Sequence, residues 1–139
     1  MHILDTNHLS ELGYNSTSGA RLRSRLDQLN ADAVTTVISV EEELGGWLAK
    51  VNKCRESDLQ IHIYGLLTER VNFLARWTVL QIDSESLAQF RAFRKQGIRI
   101  GTQDLKIACI ALAHDATVLT RNLVDFQQVS GLRVENWLD

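Results

Sequence analysis

Gly101-Thr-Gln-Asp104-Leu-Lys-Ile-Ala-Cys-Ile-Ala-Leu-Ala-His114-Asp-Ala-Thr117-Val-Leu-Thr120 is the stretch whose reading decides the fold. From Thr102 to His114 it is nearly all apolar beyond its first turn, and its length makes it a buried helix rather than a strand. Three residues on, Thr117-Val-Leu-Thr120 is short and partly β-branched, which predicts a strand. A helix buried on most sides that feeds directly into a strand belongs against a sheet covered on both faces, as parallel sheets are.

The rest of the chain repeats that alternation. Residues 1–4 read as a short buried strand, followed by the turn and helix-cap composition Asp5-Thr-Asn7. Leu22, Leu26 and Leu29 at helical spacing predict an amphipathic helix over about 18–29. Val34-Thr-Thr-Val-Ile38 predicts a second strand, with Ser39 starting a helix through about Asn52. A long helix is expected from Ser57 to Trp77, a third strand at Val79–Ile82, a helix at Ser84–Lys95 and a last strand around Leu132–Val134. Strands alternating with helices give the α/β class and a parallel sheet with right-handed connections; the two helices between the second and third strands form a hairpin insertion. With 139 residues, 45% of them hydrophobic, no Pro and eight scattered Gly, one domain over residues 1–139 is expected.

Fifteen Lys+Arg against 17 Asp+Glu give a net charge of −2, so bulk charge selects no partner. Cys54 and Cys109 are too few for a disulfide framework; Cys109 reads as a small buried thiol. No signal peptide is visible, and the longest apolar run falls short of the roughly 18 to 20 residues of a membrane span, so a cytoplasmic protein is expected.

Acids recur where such a sheet builds its sites. Asp5 follows the first strand, Glu42 lies in the helix after the second, Asp104 opens the most buried helix, and Asp125 follows the fourth strand together with Thr120 and Asn122. Each has a plain structural reading. Asp5 is a helix N-cap, Ser39-Val-Glu-Glu42 is a capping box, Asp104 answers a helix dipole and Asp125 sits in an exposed turn. Glu41 and Glu43 compete with Glu42 for either role. Taken together the four converge on one sheet edge, where like charges repel unless a cation compensates them. Carboxylates without Cys or His favour Mg²⁺ or Mn²⁺, and an ion that keeps waters suits hydrolysis of a phosphodiester.

In this order the segments resemble the PIN-domain nucleases, especially the VapC-type toxins of bacterial toxin–antitoxin pairs. Leu4-Asp5-Thr6-Asn7 is similar to the first motif, Val40-Glu-Glu42-Glu-Leu-Gly-Gly46 to the second and Gln103-Asp104-Leu-Lys-Ile-Ala108 to the third. Leu119-Thr-Arg-Asn122-Leu-Val-Asp125-Phe126 with Gly131-Leu-Arg-Val-Glu-Asn-Trp137 resembles the closing signature. The resemblance implies a three-layer α/β/α fold with a central parallel five-stranded sheet, and an endoribonuclease acting on RNA, often tRNA, with one or two Mg²⁺ or Mn²⁺ ions. It also implies a homodimer and a cognate antitoxin. Asp5, Glu42, Asp104 and Asp125 would be the catalytic, metal-binding acids, with Thr6, Thr120 and Asn122 as supports.

Arg21, Arg23, Arg25, Arg94, Lys95 and Arg99 are candidate phosphate contacts, although solvated helix faces carry such charges routinely. His2, His8, His62 and His114 show no partners in sequence, and Trp47, Trp77 and Trp137 read as core or dimer anchors. Two other classes fit an acidic α/β edge. A signalling receiver domain lacks here the paired acid after the first strand and the Lys near the end of the chain. A catalytically silent PIN-like scaffold module would not need all four acid positions filled.

Overall fold

The computed structural model describes residues 1–14 and 16–139. Among them lie five strands, β1 (His2–Leu4), β2 (Ala33–Thr36), β3 (Val79–Leu80), β4 (Thr117–Leu119) and β5 (Arg133–Glu135). The helices are α1 (Thr6–Gly13), α2 (Thr17–Gln28), α3 (Val37–Lys53), α4 (Ser57–Leu74), α5 (Ser84–Lys95), α6 (Thr102–Ala113) and α7 (Leu123–Phe126). The strands form one parallel sheet in the order β3-β2-β1-β4-β5. The expected α/β architecture and five-stranded sheet are therefore present. Its order reverses direction between β1 and β4, the switch point where open α/β sheets leave a crevice at their carboxyl edge.

Alternation along the central strands explains the two cores. Ile3 and Val118 point into a cluster with Phe93, Leu105, Ile107, Ile110 and Phe126, which is the face covered by α5, α6 and α7. Leu4 and Leu119, one residue on, join Leu9, Leu12, Leu22, Leu74 and Trp137 on the opposite face under α1, α2 and the end of α4. Each fully buried Leu or Ile contributes roughly 1.5–3 kcal/mol relative to exposure. Cys109 is buried in α6, and burial pushes its thiol up to about 11. No helix among the described residues is long and apolar enough to cross a membrane.

Several boundaries differ from the sequence reading. The second strand ends at Thr36 and α3 begins at Val37, because the Thr36 hydroxyl accepts from the Ser39 backbone N–H at 3.2 Å and caps the helix three residues before Ser39. The Ser39–Glu42 capping box therefore does not form. The helix expected to reach Trp77 ends at Leu74. α6 is preceded by Gly101 with no side-chain cap, and the Thr102 hydroxyl accepts from Arg94.

Helices α3 and α4 pack as the expected hairpin, and a buried ion pair ties them to α1. Glu43 of α3 lies 3.7 Å from Arg70 of α4, each side chain 4% exposed, and Glu43 also accepts from Ser10 of α1. Arg70 runs so close to the end of α1 that a Cβ on Gly13 would lie 1.6 Å from its Nη1, so a side chain there would have to displace the guanidinium. Removing one partner of such a pair strands an uncompensated buried charge. Arg70→Met is therefore expected to cost about 3–5 kcal/mol in urea denaturation, and the double change Glu43→Leu with Arg70→Met distinctly less. Equal losses in the two variants would refute this account.

Candidate active site

Asp5 sits where β1 ends. Its backbone is extended, its backbone N–H still donates to Leu119 of the neighbouring strand at 3.0 Å, and its side chain caps α1 by accepting from the Asn7 N–H at 2.8 Å. The second carboxylate oxygen accepts from the hydroxyl of buried Thr120, at 2.5 Å. Asp5 is thus both the plain helix cap and a buried acid at the switch point. Burial pushes its carboxyl up to about 6; the bonds from Thr120 and Asn7 pull the other way, and the charges of Asp104 and Glu42 push it further up.

The loop after β4 brings in the next two acids. Thr120 Oγ1 accepts from the Asn122 N–H at 3.0 Å, and this turn aims the Asn122 amide at two carboxylates. Its Nδ2 donates to Asp104 Oδ2 at 3.0 Å and to Asp125 Oδ2 at 2.9 Å. Asp104 is held in the first turn of α6 by the burial of Leu105, Ile107 and Ala108 behind it. Burial raises its carboxyl above the usual range, the Asn122 bond lowers it and Asp125 raises it. Phe126, fully buried, anchors the short α7 that carries Asp125.

Three consecutive glutamates divide their roles by helical phase. Glu43 is buried on Arg70, Glu41 is exposed and accepts from Gln103, and exposed Glu42 accepts from the Thr6 hydroxyl at 2.7 Å, beside Asp5. Of the three, Glu42 is the one tied to the residue next to Asp5.

All four acids therefore reach one edge, but they form a row linked by Thr6, Thr120 and Asn122 rather than the tight nest that mutual convergence suggests. Among the described residues no group of three or more His, Cys, Asp or Glu side chains is close enough to hold a metal ion by itself. Neutral donors interleaved between carboxylates relieve repulsion without a cation. The donor set still fits a hard divalent ion, because Mg²⁺ keeps several waters and needs only one or two carboxylates directly.

His8 was not legible as site support, whereas Asn7 stood beside Asp5 in the cap composition. The buried His8 accepts from the Trp137 N–H through Nε2 at 3.1 Å, which leaves Nδ1 to donate to Asn7 Oδ1 at 2.8 Å. The same Asn7 oxygen accepts from the Arg121 N–H at 3.2 Å. Burial pushes His8 down to about 4, so it stays neutral. His8 thus does have partners, contrary to the sequence reading, and the only signal for them was its position one residue after Asn7. Trp47 and Trp137 are core residues as expected.

The PIN domain family model matches residues 2–132. Ribonuclease VapC1 of Haemophilus influenzae is 32% identical over 139 residues, covering 99% of this chain and 98% of the relative. The tRNA(fMet)-specific endonuclease VapC of Salmonella typhimurium is 33% identical over 69 residues, 47% of this chain and 52% of that one. The structure of VapBC-1 from nontypeable Haemophilus influenzae superposes with a TM-score of 0.68 at 28% identity, covering 99% and 98% of the two chains.

The raised Asp5 carboxyl has a stability consequence. Between its ordinary value of 3.8 and about 6 the folded state holds a proton that the unfolded state has released, so stability falls as pH rises through that window. Asp5→Asn retains a competent N-cap and removes the charge. It is expected to stabilise the protein in EDTA at pH 7 by about 2–3 kcal/mol and to flatten the pH dependence of Tm between 4 and 6. A lowered Tm for the variant in EDTA would contradict this.

Proposed function

Because the chain belongs to the PIN-domain family, we propose that it is a divalent-metal-dependent endoribonuclease acting as the toxin of a toxin–antitoxin pair, with residues 1–139 working as one domain. The observation that carries this reading is the hydrogen-bonded row at the switch point: Thr120 ties Asp5 to the loop whose Asn122 spans Asp104 and Asp125. Side chains more than a hundred residues apart are oriented by one loop, which a set of unrelated helix caps does not require.

Asp5, Glu42, Asp104 and Asp125 are the residues that would hold Mg²⁺ or Mn²⁺. When bound, the ion supplies an activated water and neutralises charge on the phosphate oxygens. The protein's own part is orientation. Thr120 and the Asn7 N–H fix both oxygens of Asp5, Asn122 sets the spacing of Asp104 and Asp125, and Thr6 holds Glu42 on the open side. Asn7, pinned by His8 and Arg121, keeps the first turn of α1 from shifting. The substrate is RNA, with tRNA as the leading class. The ribonuclease relative, matched over nearly its whole length, supports the activity, and the VapBC-1 likeness supports a cognate antitoxin. A homodimer is part of the proposal, since Leu48, Leu59, Ile61 and Tyr64 leave apolar surface exposed along the α3–α4 hairpin.

Purified protein incubated with total RNA is expected to cleave it in Mg²⁺ or Mn²⁺ and not in EDTA. Asp5→Asn and Asp104→Asn should each lower the rate by roughly 100-fold or more, since several kcal/mol of charge stabilisation is worth tenfold per 1.4 kcal/mol. Glu42→Gln should impair cleavage far more than Glu41→Gln. Wild-type rates in both aspartate variants would remove the acids from the reaction and leave the scaffold reading.

A further inference from the structure

The basic residues that stand out in the sequence separate into two groups once their partners are known. Those on α2 are occupied within the fold. Arg21 donates to the Leu138 carbonyl at 2.9 Å, Arg23 donates to the Leu12 carbonyl at 2.8 Å, and Arg25 lies over Trp137 and 3.9 Å from Glu135. Those at the turn from α5 to α6 are not neutralised. Between residues 91 and 106 the chain carries Arg91, Arg94, Lys95, Arg99 and Lys106 against Asp104 alone, a net +4 that leaves −6 on the remainder of a chain totalling −2. Among the described residues none of the five is paired with a carboxylate, nor are Arg21, Arg23, Lys50, Lys53, Arg55 and Arg76; what sets the five apart is their concentration between residues 91 and 106 with a single acid.

The fold places this cationic ridge beside the acids. Arg94 donates to the Ile98 carbonyl at 2.9 Å and to Thr102 Oγ1 at 3.3 Å, fastening the end of α5 to the first turn of α6, which also carries Asp104. Gly97, at φ 84°, turns the connection, and buried Ile100 anchors it, so that exposed Lys95 and Arg99 stand on a fixed support. Arg91 and Lys95 are four residues apart on α5 and share a face, where like charges destabilise a helix unless something anionic compensates. Without a bound cation the acidic row repels a phosphate backbone, and a neighbouring cationic surface offsets that repulsion.

We infer that the α5–α6 ridge, through Arg91, Lys95 and Arg99 with Arg94 holding the turn, is the surface that binds the RNA backbone and leads it to the acids. This rests on the ribonuclease reading and adds where the substrate lies.

The test is binding of a fluorescein-labelled single-stranded RNA to the full chain in EDTA, followed by anisotropy over a salt series, with cleavage in Mn²⁺ measured separately. Lys95→Gln with Arg99→Gln is expected to weaken binding about tenfold and to reduce the slope of log K against log salt by roughly 0.7 per lost phosphate contact. In cleavage it should raise KM and leave kcat near wild type. Lys53→Gln with Arg55→Gln removes the same charge at the α3–α4 link and should leave both the slope and KM unchanged. The inference is overturned if the ridge variant binds RNA as wild type does, or if both double variants lose affinity equally. It is also overturned if the ridge variant loses only its affinity for a co-expressed protein partner, which would make the ridge a protein-docking face. Wild type that cleaves RNA while the ridge variant is unaltered sinks the inference alone; wild type that neither binds nor cleaves RNA sinks the ribonuclease reading with it.

Discussion

Leu4 lies opposite Leu119 in the parallel ladder between β1 and β4, and that register governs the site. Because the strands run in the same direction, their carboxyl ends finish side by side, with the Asp5 N–H still bonded to Leu119 while the Thr120 hydroxyl reaches the Asp5 carboxylate. A slip of one residue would turn Leu4 and Leu119 away from the α1–α2 face and expose them to the wrong core. Burial of apolar side chains on two faces thus holds the polar contact at the edge. The switch point in strand order then sends the chain to opposite sides after β1 and β4, and the crevice between them receives the acids.

Charge within this crevice is managed by interposed neutral groups. Thr6, Thr120 and Asn122 each donate to a carboxylate, and Asn122 serves two at once. At Asp5 and Asp104 these bonds favour the ionised form while burial opposes it, and burial dominates. Glu43 shows the contrasting solution one helical position from Glu42: a carboxylate with a dedicated guanidinium becomes a structural tie. The site acids lack such a partner, and that separates them from the acids that merely hold the fold.

Behind the crevice a second layer keeps the first turn of α1 in place. The chain end folds back so that Trp137 and Leu138 are buried on the α1–α2 face, Arg21 holds the Leu138 carbonyl, and Arg121 reaches Asp139 and Glu11. Through His8 the Trp137 backbone bonds to the side chain that also fixes Asn7, so the C-terminal segment braces the loop carrying Asp5.

Much of this was legible in the chain itself. The apolar run of 105–112 and the short β-branched segments dictated a parallel α/β sheet, since residues with no polar face must be covered on every side. The placement of acids around those strands marked Asp5, Asp104, Asp125 and one of the glutamates 41–43, while the choice of Glu42 and the supporting roles of Thr120 and Asn122 followed from the resemblance to the PIN-domain nucleases. What the sequence could not express is which of several local partners each side chain takes. Thr36 rather than Ser39 caps α3, which released Glu42 from a capping box and set the helical phase that sends Glu43 to Arg70 and Glu42 to Thr6. His8 gained its role, and the α2 arginines lost theirs as free cations, through contacts with residues more than a hundred positions away or across the α1–α2 turn. Periodicity reports burial because burial is a property of each residue's own chemistry, whereas pairing depends on distances that exist only after the strands have set their register.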